Sequence, residues 1–226
     1  MCNQVASPAR ADAPRPSLAA AFELPSVIEM GLTYSYNNTW ILNNETTAAF
    51  DPNSLVSTSA TYAGSYGLEI CIGLAPNQAL TSQVYINSSV KQDYEFYVEG
   101  RYTDKTVHVN YLKFTLMYKV SFPQINKTIN SKYTVQLGPY LAKLKNQSLY
   151  YGDVLVSVSK DYSEVDFGVK LALGQDKRIN RFILSYGING EYGLVNVFNG
   201  RGRVTPEFDV TRNAHIGAYL SLKYSL

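Results

Sequence analysis

From Arg212 to Leu226 apolar and polar residues alternate almost without a break. Ala214, Ile216, Ala218, Leu220, Leu222, Tyr224 and Leu226 fall on one side, and Asn213, His215, Gly217, Ser221, Lys223 and Ser225 on the other, with Tyr219 the exception. A period of two predicts a strand with one apolar and one polar face. A chain that stops on such a strand is expected of a membrane barrel, whose outer face meets lipid and whose inner face meets a polar lumen.

Seven earlier segments carry the same pattern. Over 27–37, Met30, Leu32, Tyr34 and Tyr36 oppose Gly31, Thr33, Ser35 and Asn37. Over 60–75, Tyr62, Tyr66, Leu68, Ile70, Ile72 and Leu74 oppose Ser65, Gly67, Glu69, Cys71 and Gly73, and Pro76-Asn77 makes a turn. The segment 80–91 is less regular, with Val84 and Ile86 against Gln83, Tyr85 and Asn87. Alternation returns over 107–122, 132–145, 162–173 and 179–195, with Gly174-Gln175-Asp176-Lys177-Arg178 as a turn between the last two. Eight strands of about 10–16 residues suit a tilted barrel, which needs about 9–11 residues in the hydrocarbon. Connections after the second, fourth and sixth strands are short. Those after the first, third, fifth and seventh are long (38–59, 92–106, 146–161 and 196–211). Short periplasmic turns and long outer loops are the asymmetry of membrane barrels, and an even strand number returns both termini to the periplasm. The expected fold is therefore all-β: an eight-stranded antiparallel up-and-down transmembrane β-barrel over 26–226. Residues 1–25, rich in Ala, Pro, Ser and Arg, read as a flexible leader.

Composition sharpens this only in part. Of 226 residues 17% are charged, below the usual quarter, and Tyr occurs 19 times against 9 Phe and 1 Trp. A Tyr excess suits surfaces with one wet and one apolar boundary, although a Tyr-rich soluble β-sandwich has it too. No run approaches the roughly 18 apolar residues of a spanning helix, so a membrane location requires a closed barrel. The net charge of +2 implies no strongly charged partner, and scattered basic residues give no nucleic-acid surface. No basic stretch followed by an apolar run stands near residue 1, so an export signal is expected to have been removed. Cys2 lies in the leader and Cys71 in a strand, and no disulfide between them is expected.

Which face is inside decides the class. Glu69, Lys113, Lys119, Gln136, Glu164, Asp166, Lys170, Arg181, Glu191 and Lys223 all sit opposite the apolar faces. In a lipocalin-like soluble barrel they would point outward. The breadth and continuity of the apolar faces favour the reverse, with Leu112, Phe114, Leu116, Val165, Phe167, Val169, Leu220 and Leu222 facing lipid. Charges of both signs would then pair across a narrow, side-chain-filled lumen as a structural network.

Four stretches carry a resemblance. Val109-Asn110-Tyr111-Leu112-Lys113-Phe114-Thr115-Leu116, Leu137-Gly138-Pro139-Tyr140-Leu141, Asp161-Tyr162-Ser163-Glu164-Val165-Asp166-Phe167-Gly168-Val169 and Tyr192-Gly193-Leu194-Val195-Asn196 resemble, in order, strands of the PorT-like outer-membrane β-barrel proteins of Bacteroidota, relatives of OmpA-type barrels. The departures are Ala142 where the family's second stretch ends in Gly, Leu226 where a terminal Phe is usual, and the leader before residue 25. The resemblance implies an outer-membrane location among lipid and lipopolysaccharide. The family's members include secretion accessories, small porin-like proteins and subunits of larger complexes.

No catalytic, cofactor or metal constellation emerges. His108 and His215 are the only histidines, and neither has ligand spacing. A barrel enzyme acting on lipid would use a Ser–His pair on the outer face. His215 is placed near the outer end of the last strand, but no Ser occupies the same-face positions 213 and 217. Exposed aromatics expected in the long loops (Trp40, Phe50, Tyr94, Phe96, Tyr97, Tyr102, Phe198, Phe208) suit protein partners or an interfacial girdle. The function expected is a non-enzymatic subunit or accessory of an outer-membrane complex, with a lipid-acting enzyme as the alternative.

Overall fold

A computed structural model of the chain describes residues 27–43, 56–98, 101–123, 131–152, 154–157, 162–198 and 210–226. The leader expected over 1–25 lies outside the described residues. These residues form ten strands: β1 (Ile28–Leu42), β2 (Val56–Ser59), β3 (Thr61–Ala75), β4 (Gln78–Val98), β5 (Arg101–Pro123), β6 (Ser131–Tyr151), β7 (Val154–Ser157), β8 (Val165–Ile179), β9 (Phe182–Gly193) and β10 (Arg212–Ser225). Eight of them pair antiparallel in a closed ring, β1–β3–β4–β5–β6–β8–β9–β10, and β10 returns to β1. β2 adds to the far end of β4, and β7 to the far end of β6. The eight expected strands are the eight of the ring, and the two short ones lie within segments expected to be loops.

Three boundaries differ from expectation. The segment Gly174–Arg178 is strand rather than turn, because β8 runs on to Ile179. The reversal is made by Asn180-Arg181, with Asn180 at a φ of 56°, a left-handed conformation that Asn tolerates better than most residues. The expected connection 92–106 is almost entirely a hairpin of β4 and β5, and 146–161 contains the end of β6 and β7. Glu164 precedes β8 and is exposed, and Arg181 sits exposed in the β8–β9 turn. Neither faces the interior, as their parity in the sequence had suggested.

The ring has an apolar outside. Leu112, Phe114, Leu116, Val165, Phe167, Val169, Leu220 and Leu222 are all exposed, as are Met30, Leu32, Leu68, Ile70, Leu171 and Ile188. Aromatic side chains edge this belt: Tyr36 stacks on Tyr62 at 5.6 Å at one rim, and Phe182 meets Tyr224 edge-on at 5.4 Å at the other. The two described ends of the chain share the second rim, where Leu226 N donates to Ile28 O and Gly73 N to Val27 O.

Beyond the first rim β4, β5 and β6 continue, and their polarity reverses. Val90, Tyr94, Val107 and Val109 turn inward and bury, joined by Ile41, Tyr162 and Val197, while Lys91, Asp93, His108 and Asn110 look outward. The change falls at two β-bulges. In β4 two residues, Ile86 and Asn87, stand opposite Leu112 of β5. In β6 Lys145 is the extra residue between the pairs Asn110–Asn146 and Tyr111–Leu144. A bulge shifts the side-chain phase by one. Buried positions in β4 accordingly pass from 81, 83 and 85 to 90, 92 and 94, and in β6 from 140 and 142 to 147.

Candidate functional site

The interior between the rims is occupied by charge. Glu69, Lys113, Lys119, Gln136, Asp166, Lys170, Glu191 and Lys223 are all buried there, Lys170 and Lys223 to 1% exposure. The period of two places them inside, and other strands supply partners for all but Gln136, whose buried Oε1 accepts no hydrogen bond.

At mid-barrel Glu191 of β9 is the hub. Lys113 Nζ of β5 lies 2.5 Å from its Oε2, Lys170 Nζ of β8 lies 3.1 Å from its Oε1, and His215 Nε2 of β10 lies 2.8 Å from its Oε2. Lys170 also donates to Tyr85 OH at 2.8 Å and Gln83 Oε1 at 3.0 Å, and stands 4.5 Å from the Tyr85 ring centroid. Lys113 lies 5.2 Å from the Tyr140 ring. Two ammonium groups thus share one carboxylate and two aromatic faces, and cation–π contact supplies part of the stabilisation that water would give.

Toward the rim that holds the chain ends, Gln83 Nε2 donates to Glu69 Oε2 at 2.8 Å, and Lys223 Nζ lies 3.3 Å from Glu69 and 3.2 Å from Glu29. Glu29 in turn pairs with Arg178 at 3.2 Å, and Lys119 pairs with Asp176, which also accepts from Ser185. Of these groups Glu29, Lys119, Asp176 and Arg178 border an open cavity of about 340 Å³ that includes Cys71 and Ile183 in its wall. Toward the other rim Asp166 accepts from Tyr140 OH at 3.1 Å and Asn213 Nδ2 at 2.9 Å, and Asn213 also donates to Tyr111 OH. Above this the apolar cluster of Ile41, Val90, Tyr94, Val107 and Val109 closes the interior. The network therefore begins at a cavity on one side and ends under an apolar plug on the other.

Small residues make the crossing side chains fit. A Cβ on Gly168 would stand 2.6 Å from the Tyr140 ring, and one on Gly174 would stand 2.2 Å from Tyr219 OH. Glycine at these inward positions of β8 leaves room for tyrosines from β6 and β10.

The network read from the sequence left out Glu29, Gln83, Tyr85, Asp176 and His215. His215 lies inside the barrel beside Glu191, on the side its parity gives. Asp176 was masked by the turn-like composition of Gly174–Arg178. Gln83 and Tyr85 were visible on the polar face of the irregular third segment, but tyrosine alternates too ambiguously to be read as inward. Among the aromatics expected to be exposed, Tyr94 is buried, with its hydroxyl accepting from Asn43. Trp40 is half-buried, and Phe198 is half-buried with its ring 6.1 Å from that of Tyr162. Phe50 and Phe208 lie outside the described residues, and so do the side chains of Phe96, Tyr97 and Tyr102.

No protein-family profile matches the sequence, and no curated protein sequence does. Among solved structures the chain is similar to outer membrane protein W of E. coli (13% identity, 91% of this chain and 100% of that chain covered, TM-score 0.46). It is similar also to OprG of Pseudomonas aeruginosa (12%, 89% and 95%, TM-score 0.43) and to neisserial surface protein A (12%, 87% and 97%, TM-score 0.42).

Proposed function

We propose that this chain is an integral outer-membrane β-barrel with a filled lumen, serving as a non-enzymatic subunit or accessory of an outer-membrane complex. The observation that carries the membrane reading is the inversion along β5. Leu112, Phe114 and Leu116 are exposed while Lys113, Thr115 and Lys119 are buried. Water on both faces would make that arrangement unstable, and lipid on the outer face makes it favourable. It is also the reverse of a lipocalin-like soluble barrel. The rim with the short turns and chain ends is then periplasmic, and the extended β4–β6 end extracellular.

The accessory role is supported by the interior. Ion pairs and the apolar plug fill the space through which a solute would pass, and eight strands enclose little more than their side chains. A lipid-acting enzyme would need His215 on the outer wall, whereas it is bound up with Glu191 inside. The four ordered stretches that resemble PorT-like barrels support a place among them, and that group's accessories and complex subunits supply the role.

The test is extraction from the native membrane in mild detergent, followed by mass spectrometry of co-purifying proteins. Stoichiometric partners are expected. A protein that runs alone and modifies lipid, with activity lost in His215→Ala, would overturn the accessory reading. A monodisperse detergent-free monomer would overturn the membrane reading.

A further inference from the structure

At the extracellular edge of the belt, the outer wall differs from strand to strand. β1 and β3 present Tyr36 and Tyr62 there, β9 presents Tyr192, and Arg212 of β10 is held by the Tyr192 hydroxyl at 2.8 Å. Among the described residues, β4, β5 and β6 present amides and exposed ammonium groups at the two bulges, and β1 adds the outward amide of Asn38. Asn87 donates to Ser89 at 3.0 Å, Ser89 bonds Asn110, and Asn110 donates to Asn146 at 2.7 Å, a row running across three strands. Directly below it Lys143 is paired in register between Leu112 and Val165, both outward. Lys145, the bulged residue of β6, spends one donor on Ile86 O, the bulged carbonyl of β4, at 3.1 Å.

Both lysines are exposed, and neither forms an ion pair among the described residues. At the opposite rim Arg178 pairs with Glu29, Arg181 donates to Tyr224 OH and Lys132 to Pro76 O, while Lys177 is exposed and, among the described residues, forms no ion pair. An ammonium flanked by apolar neighbours extends toward the headgroup level, where its favourable partner is an anion. Amide and hydroxyl groups beside it suit sugar hydroxyls.

We propose that the bulged β4–β6 wall is a binding site for the phosphorylated sugar headgroup of an outer-leaflet glycolipid. Lys143 and Lys145 take the phosphate, and Asn110 and Asn146 face the sugar. The inference rests on the membrane reading above.

The wild type and Lys143→Gln/Lys145→Gln are placed in phosphatidylcholine nanodiscs doped with diphosphoryl lipid A or with its dephosphorylated form, and retained lipid A is counted by native mass spectrometry. Glutamine keeps a donor for Ile86 O, and heat-modified gel mobility checks that the barrel is closed. The wild type is expected to prefer the diphosphoryl form. The double variant should weaken retention by about thirtyfold, the worth of two basic groups at an anionic surface, and Lys132→Gln at the other rim should leave it unchanged. Equal retention of the two lipids by the wild type, equal retention by the double variant, or an equal loss in Lys132→Gln would each overturn the site while leaving the membrane reading intact. A wild type that never enters the bilayer would overturn both.

Discussion

Two regions of one continuous set of strands solve opposite solvent problems. In the belt β5 turns Leu112, Phe114 and Leu116 out and Lys113 and Thr115 in. A few residues earlier it turns Val107 and Val109 in and leaves His108 and Asn110 half-exposed. β5 itself keeps its parity throughout, and what changes is which residues the sequence puts on each parity. β4 and β6 change parity instead, by one bulge each. The hydrophobic effect acts with the same strength per unit of apolar area in both regions. The belt obtains its burial from the surroundings, while the extension must supply its own from Ile41, Tyr94, Val107, Val109 and Tyr162. Among the described residues, buried charge is confined to the region where the outer wall is apolar.

The largest effect that would test this contrast lies at the hub. Glu191→Ala leaves Lys113 and Lys170 buried without their carboxylate and should cost about 3–5 kcal/mol, read as a lowered unfolding midpoint in detergent. A loss near zero would mean that the interior is hydrated and not a closed network. Next comes Leu116→Arg, which puts a guanidinium at mid-belt. The expected cost is about 2–4 kcal/mol on refolding into bilayers, and a variant that inserts as well as wild type would invert the facing. Val109→Ala in the extension should cost about 2 kcal/mol, for two lost methyl groups and the cavity they leave, measured by hydrogen exchange of the β4–β5 hairpin. Leu116→Ala removes more carbon, yet should cost under about 1 kcal/mol in a bilayer, since acyl chains fill the space. If Leu116→Ala proved costlier than Val109→Ala, the two regions would not differ in the way described.

Much of this was legible in the chain. Where parity is unbroken, as in 107–122 and 212–226, the strand, its facing and its buried lysines could all be read directly. Reading failed where the phase slips. The bulge at Ile86-Asn87 made the third segment look irregular, and the one at Lys145 ended the fifth early. The strands beyond were consequently expected to be long loops, and Tyr94 a surface aromatic. Gly174–Arg178 misled differently: its glycine and charges have the composition of a turn, but in β8 the glycine admits Tyr219 and Asp176 meets Lys119. Composition reports local preference, and only cross-strand partners reveal that such residues are needed inside. Glu164 and Arg181 share the polar parity but stand past the strand ends, where parity carries no meaning.

The pairing of β1 with β10 has a kinetic consequence. Glu29 lies opposite Ser225 and Leu42 opposite Arg212, so the wall is sealed by residues at opposite ends of the described part of the chain. The other seams of the ring join strands that follow one another closely and can zip as hairpins. This one closes only when the last strand finds the first, at the largest loop-closure entropy in the ring. Until then both edge strands expose unpaired backbone, and the lysine of β10 that will meet Glu29 and Glu69 is still in water. A barrel with that seam open offers two unpaired edges to another chain, and closing it removes both.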